Sequence, residues 1–376
     1  MSTSPHSVVW ALGTAVPRFR ISQERALGFM SACHAGEEAT QRRLKAIYRR
    51  AQIDYRHSCC ADFAFTCADT PTDGGEPLLF GAEGGPGLTA RMQRYERESV
   101  PLAQTAAMKA FEGAGASVAR SDVTHLITVT CTGFFAPGLD LELVDRLGLS
   151  RSIQRLQVGF MGCQAALHGL QMADAICRAD GSAVVLLVCV ELTTLHFRRE
   201  SDVGNLIINS LFGDGAAAAL ITGAQRVAGG QALLSMDGFY SYVVPDTAEF
   251  ISWRIEQEGF RMGLSAKTPG VLGQVLPDFV RRLLGPTGRS DSEVEGWAIH
   301  PGGRAILDAA ADALTLPPGK LSTSREVLRC FGNMSSPTIL FVLDRLVRTA
   351  ANGVALTFGP GLSVEGMVWT RGSRGG

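Results

Sequence analysis

Apolar residues in this chain fall into two kinds of run, and the two alternate along most of its length. Short runs that are apolar throughout, such as 183–190 and 215–222, fit strands covered on both faces. Longer stretches with apolar residues three and four apart fit amphipathic helices. Strands are predicted at 8–15, 125–131, 156–160, 183–190, 215–222, 296–299, 353–358 and 364–370. Helices are predicted at 40–50, 102–113, 139–147, 164–177, 270–284, 304–314, 322–330 and 336–349. Such alternation predicts a layered α/β fold.

The two halves of the pattern echo each other. Each has a strand leading into a loop that carries a reactive side chain, Cys131 in one and His300 in the other. Each then passes through a glycine turn into a long helix, at Gly162-Cys163 and at Gly332-Asn333. Each holds a glycine-rich turn next to an apolar strand, Gly213-Asp214-Gly215 and Gly359-Pro360-Gly361. The expectation is a duplicated α/β architecture, with halves at 1–225 and 226–376, whose two long helix starts meet. Residues 69–87, rich in Pro, Gly, Asp and Thr, read as an irregular excursion or lid.

Composition narrows the function classes. With 376 residues, 46% hydrophobic and 19% charged, the chain supports a large globular core. A net charge of -1 gives no electrostatic reason to expect nucleic acid or an anionic membrane. The run 183–190 is too short to span a bilayer, and the N-terminus lacks the pattern of a signal peptide. The cysteines, nine in number, show no zinc-ligand spacing, so reduced thiols in the cytoplasm and no metal are expected.

Cys163 is the leading candidate for chemistry. It follows an apolar strand and the flexible Gly162, and it opens a helix, where unpaired N–H groups and the helix dipole favour thiolate over thiol. The competing reading is a small buried core residue. Cys131 and Cys189, in or at the end of strands, read as core or pocket lining. His300 leaves a buried strand into Pro301-Gly302-Gly303, at a sheet exit where ligands bind in open α/β folds. It reads equally as a histidine bonded to a loop carbonyl. Asn333 is either a helix N-cap or an amide donor aimed, with a histidine N–H, at a developing oxyanion. On the helix at 40–50, Leu44, Ile47 and Tyr48 share the apolar face, while Arg43 and Arg50 recur one heptad apart. That basic face is either solvated or a site for phosphates.

Five blocks carry a family resemblance: Gly162-Cys163, Leu211-Phe212-Gly213-Asp214-Gly215-Ala216, His300-Pro301-Gly302-Gly303, Gly332-Asn333-Met334-Ser335-Ser336 and Phe358-Gly359-Pro360-Gly361-Leu362. In order and spacing they resemble the type III polyketide synthases, the chalcone synthase-like branch of the thiolase superfamily. The resemblance is strong over 124–222 and 297–370, weaker over 231–284 and faint before residue 102.

The resemblance implies a thiolase-like duplicated five-layer αβαβα fold and a homodimer. It implies iterative, decarboxylative condensation of malonyl-CoA onto an acyl-CoA starter, with CoA thioesters as substrates and no other cofactor. By motif, Cys163 carries the acyl chain, and His300 sustains its thiolate as an ion pair. His300 and Asn333 bind the enolate oxygen, and Phe212 stands at the gate. Cys131, Thr193, His196, Met262 and Ser335 line the pocket. Arg43 and Arg50 bind CoA phosphates; Ala46 stands at the third basic position, with Lys45 and Arg49 nearby.

Departures from the plant pattern at His196, Met262, Thr357 and Ala136 argue against a flavonoid product. Blocks 91–99 and 158–163 resemble bacterial members. The expected product is an alkylpyrone or alkylresorcinol from a fatty acyl starter. The alternatives are a small malonyl or aryl starter, a single condensation as in ketoacyl synthase III or HMG-CoA synthase, and a non-catalytic scaffold.

Overall fold

The computed structural model describes residues 7–64, 79–80, 85–226 and 232–372. The predicted excursion at 69–87 lies largely outside these residues. The strands are β1 (Ser7–Ala15), β2 (Phe19–Ser22), β3 (Tyr55–Ser58), β4 (His125–Thr130), β5 (Gln154–Gly159), β6 (Val184–Leu192), β7 (Asp214–Gly223), β8 (Leu234–Val243), β9 (Ile251–Glu256), β10 (Gly259–Leu264), β11 (Gly296–Ile299), β12 (Asn352–Gly359) and β13 (Ser363–Arg371). The α-helices are α1 (Gln23–Cys33), α2 (Glu38–Arg50), α3 (Leu88–Ala114), α4 (Leu139–Leu147), α5 (Ala165–Ala179), α6 (Val203–Leu211), α7 (Thr268–Leu284), α8 (Arg304–Ala313), α9 (Ser322–Phe331) and α10 (Thr338–Leu346).

The period-two alternation of the strands builds the layers. Along β6, Val184, Leu186, Val188 and Val190 pack with residues of α1 to α4. Their neighbours Val185, Leu187 and Cys189 turn the other way, onto α5 and α10. Along β12 the same device sends Val354 and Leu356 toward α7 and α8, and Ala355 toward α5 and α10. The result is five layers, αβαβα, with α5 and α10 in the middle. This is the thiolase-type fold expected from the sequence.

Each half-sheet repeats one pattern: β4, β6, β7 and β1 in the first, β11, β12, β13 and β8 in the second. In both, a parallel pair is followed by antiparallel neighbours. Pairs Val8 to Ser235 and Val9 to Leu234 join the halves into one sheet ordered β11-β12-β13-β8-β1-β7-β6-β4-β5. The edge strand β5 leads into Cys163. The matching segment before α10 makes a single isolated parallel bridge, between Phe212 and Asn333.

Some expected boundaries move. The helix expected at 102–113 starts at Leu88 and runs through Pro101. A proline removes one helical hydrogen bond, but Tyr95, Val100, Leu102, Ala103 and Ala106 hold the helix against β1, β6 and β7. The helix expected at 336–349 is trimmed to Thr338–Leu346. Helices α1 and α6 and strands β2, β3, β8, β9 and β10 were not anticipated, because their apolar residues are too interspersed with polar ones. Among the described residues no helix is long and apolar enough to cross a membrane.

Candidate active site

The chain reverses sharply between β5 and α5. Phe160 and Gly162 both have left-handed backbones, with φ of 57° and 69°. At Gly162 a side chain is excluded twice over, since a Cβ there would stand 2.5 Å from Pro360 Cδ. A short 3-10 turn, Gly162–Gln164, then presents Cys163 at the start of α5. The Gly162 N–H donates to Cys131 Sγ at 3.1 Å. Cys163 Sγ lies 4.0 Å from Asn333 Oδ1. Burial pushes the Cys163 thiol up to about 11, opposed by hydrogen bonding with the Ser335 and Asn333 side chains. Burial thus opposes the preference for thiolate that the helix start provides.

Asn333 does not cap a helix: α10 begins after Pro337 with no side-chain cap. Its backbone instead bridges to the end of α6, with Asn333 N–H donating to Leu211 O at 2.9 Å and Gly213 N–H to Asn333 O at 3.0 Å. Gly332 permits this approach, because it has φ 68° and a Cβ there would meet Leu211 O at 2.7 Å. Ser335, itself at φ 59°, donates its N–H to Asn333 Oδ1 at 2.8 Å. That bond fixes the amide: the oxygen is taken by the backbone, and the NH₂ turns toward Gly302 O at 3.4 Å, beside the His300 loop.

His300 leaves β11 with its N–H on Leu356 O at 2.8 Å. Its side chain is buried, and neither ring nitrogen has a hydrogen-bond partner among the described residues. The bland reading, a ring bonded to a loop carbonyl, is not realised. Burial pulls the imidazole pKa down to about 3. No direct hydrogen bond joins His300 to Cys163 in this structure, so the expected ion pair is not preformed.

One cavity of about 770 Å³ is lined by Cys163, His300, Asn333 and Phe212. Cys131, Thr193, His196, Met262 and Ser335, all expected from the sequence, line it as well. Thr193 Oγ1 donates to Gly213 O at 2.6 Å. Both nitrogens of His196 are engaged, Nε2 with Thr132 O at 2.7 Å and Nδ1 accepting from Phe260 N–H at 3.0 Å. The ring stacks on Phe260 at 4.2 Å and meets the edge of Trp253 at 5.3 Å. Of the two predicted arginines, the exposed Arg50 lines the cavity, whereas Arg43 is exposed and outside its wall.

Sequence reasoning missed Glu191. Its carboxylate accepts from Cys131 N–H at 2.9 Å, Thr132 Oγ1 at 2.8 Å and Ser336 Oγ at 2.8 Å. Burial pushes it up to about 7, against those three bonds. The available signal was a lone carboxylate near the end of an otherwise apolar strand. Asp214, passed over as a turn residue, is also buried. It accepts from Cys59 N–H at 2.9 Å, Thr194 N–H at 2.8 Å and Thr194 Oγ1 at 2.7 Å, and so ties the turn at Thr193–Thr194 to the floor of the site.

A nucleophile, an unpartnered imidazole and an oriented amide around one cavity fit acyl transfer. Comparison with known proteins decides the family. The N-terminal domain of the chalcone and stilbene synthases matches residues 2–225, and their C-terminal domain matches residues 239–371. The chain belongs to this family. It is a type III polyketide synthase, an acyl-transferring enzyme. The alpha-pyrone synthesis polyketide synthase-like Pks18 of Mycobacterium tuberculosis is 31% identical over 372 residues, covering 96% of this chain and 91% of that protein. Type III polyketide synthase C of Arabidopsis thaliana is 31% identical over 377 residues, covering 96% and 94%. The crystal structure of PKS-I from the brown alga Ectocarpus siliculosus superposes with a TM-score of 0.92 at 29% identity, covering 98% of this chain and 99% of that one.

Proposed function

We propose that this type III polyketide synthase loads a fatty acyl group from CoA onto Cys163 and extends it with several malonyl-CoA units. The product is then cyclised to an alkylpyrone or alkylresorcinol. The observation that carries this reading is the meeting of Cys163, the bond-free His300 and the oriented Asn333 amide around one largely apolar cavity. The likeness to a relative named for alpha-pyrone synthesis supports the choice of product class.

The Cys163 proton moves to His300, and the thiolate attacks the starter thioester. The bond to CoA sulfur breaks, and CoA leaves as the thiol with the proton from His300. Malonyl-CoA then loses CO₂; the electron pair of the broken C–C bond becomes an enolate, whose oxygen is held by N–H donors of His300 and Asn333. The enolate carbon attacks the Cys163 thioester, a C–C bond forms, and Cys163 leaves as thiolate. The extended chain, now on CoA, reloads the Cys163 thiolate for the next round, and the CoA thiolate released takes its proton from solvent. Nothing in this sequence requires a redox cofactor or a metal.

Burial raises Cys163 and lowers His300 for one reason: each by itself would be a lone charge in an apolar cavity. A proton transferred from sulfur to imidazole creates both charges together, and their attraction offsets the two costs. Apo geometry of such pairs is often loose and tightens with substrate bound.

Arg50, at the cavity wall, is assigned to CoA phosphates. The enzyme is further assigned to the cytoplasm as a homodimer. The edge strand β5 leaves Leu156 45% exposed, and nearby Phe134 and Met161 are 42% and 36% exposed, an apolar face suited to a second copy. The test is to incubate purified protein with malonyl-CoA and acyl-CoA starters from acetyl to palmitoyl, with products read by mass spectrometry. Pyrones with one CO₂ per extension, or resorcinols with one further CO₂ lost on ring closure, are expected. Release after a single condensation, products from malonyl or aryl starters only, or no product with any starter overturns the reading.

A further inference from the structure

Arg91 does not line the cavity that holds Cys163, yet it is 4% exposed, and among the described residues no carboxylate is bonded to it. Its donors go to three backbone carbonyls instead. Nε donates to Pro86 O at 3.0 Å, and Nη1 donates to Leu195 O and, at 2.9 Å, to Phe197 O. The last two carbonyls flank His196. A buried guanidinium left without these acceptors is costly, so the segment is held to the start of α3. The guanidinium also lies 5.2 Å over the Phe80 ring. Gly259 also packs on the side chain, at φ 111°, where a Cβ would come within 2.8 Å of Arg91 Cδ and Nε. Gly259 opens β10, whose Phe260 donates its N–H to His196 Nδ1 and stacks on the ring. One cation thus pins the backbone on both sides of His196 and sets the approach of the strand that packs on it.

We propose that Arg91 is a positioning residue for product size. It fixes where the His196 ring stands in the cavity wall, and so fixes the chain length that Cys163 can carry before cyclisation. Arg91 touches neither substrate nor Cys163; it acts through His196. The inference rests on the proposed synthase activity and specifies one determinant of its outcome.

The test uses the full-length protein with Arg91→Met, Arg91→Lys and His196→Gly, each fed a series of acyl-CoA starters with malonyl-CoA. Transfer of the starter to Cys163 is followed by intact-protein mass spectrometry, and product lengths are followed separately. In Arg91→Met, loading stays within about twofold of wild type, while the ratio of longer to shorter products changes by about fivefold or more. Arg91→Lys, which keeps a cation but loses the fork of donors, falls between the two. Combined with His196→Gly, Arg91→Met has no further effect on product ratio, because the ring it positions is gone. An unchanged product ratio in a folded Arg91→Met protein overturns the inference, as does an equal loss of loading and of every product. Should Arg91→Met fail to fold, Arg91→Lys is read by the same criteria. Absence of any product from the wild-type protein is a different result: it rejects the synthase reading itself.

Discussion

Phe212 and Asn333 are joined through their backbones. Asn333 N–H reaches Leu211 O at 2.9 Å, and the N–H after Phe212 reaches Asn333 O at 3.0 Å. A phenylalanine that lines the cavity and the amide proposed to face the reacting oxygen thus ride on one bridge between the two halves of the fold. The bridge fixes the main chain, and the Ser335 N–H fixes the side chain, so the amide has one orientation.

That orientation makes Asn333→Asp informative. The aspartate keeps the shape and can still accept from Ser335 N–H, but it cannot donate to the enolate oxygen. Decarboxylation of malonyl-CoA is expected to fall by about 10²–10³-fold, the usual loss of one oxyanion donor. Loading of Cys163 by the starter is expected to persist. Release of labelled CO₂ and intact-protein mass spectrometry separate the two; equal loss of both refutes a role confined to the enolate.

The pH dependence of Cys163 alkylation tests its partnership with His300. With His300 neutral, burial holds the thiol up at about 11. In His300→Ala the rate of alkylation is therefore expected to climb about tenfold per pH unit through the neutral and mildly alkaline range. In the wild type, a thiolate stabilised by imidazolium gives a plateau that begins below about pH 7. Coincident profiles for the two proteins would exclude the ion pair.

Much of the site was legible because its pieces are local. Cys163, His300 and Asn333 each follow a glycine turn or strand exit beside a strongly apolar run, and those signals survive in one dimension. Glu191 stands out as a lone carboxylate in an apolar strand, but its bonds were not legible, since Cys131 and Ser336 lie 60 and 145 residues away. Arg43 and Arg50 look alike on a helical wheel, but the cavity meets only the C-terminal end of α2, at Ile47, Tyr48, Arg50 and Ala51. The wheel gives the face of a helix and not the position along it. Pro101 hid the first half of α3, although Ala90, Arg91, Met92, Gln93, Arg94, Glu96 and Arg97 are good helix formers. The β9–β10 hairpin, which supplies Trp253, Phe260 and Met262, has no clean alternation to read.

The two arginines give a direct comparison. Arg50→Ala is expected to raise KM for malonyl-CoA by up to about fivefold, the scale of one exposed phosphate contact, and to weaken its dependence on salt. Arg43→Ala is expected to leave KM nearly unchanged. The reverse order would put the CoA phosphates nearer the N-terminal end of α2.

His196 predicts a pH effect on stability. Burial lowers its pKa from 6.5 to about 3, and Nδ1 must stay unprotonated to accept from Phe260. Below about pH 6.5 the unfolded chain binds a proton that the folded one refuses, so stability falls as pH drops toward about 3, by up to ~1.4 kcal/mol per unit for this group. Glu191 and Glu365, both raised to about 7 by burial, act in the opposite sense but are common to wild type and variant. His196→Gln is thus expected to be less stable than wild type near neutrality and to lose that deficit on acidification. Urea titrations at a series of pH values measure the gap; a gap that does not change with pH means His196 is not held neutral.

Gly162→Ala probes the turn that presents the nucleophile. An alanine must adopt φ near 69° and place its Cβ 2.5 Å from Pro360 Cδ, so either the Cys163 turn or the Gly359-Pro360 loop has to move. Strain of this kind costs about 1–3 kcal/mol. The larger effect is expected on chemistry, because an ångström-scale shift of a nucleophile can lower a rate by about 10²-fold. The variant should therefore remain folded, with a melting temperature lowered by a few degrees, and lose most Cys163 loading. Retained loading at a reduced melting temperature would show that the loop around Pro360 yields while the position of the sulfur does not depend on it.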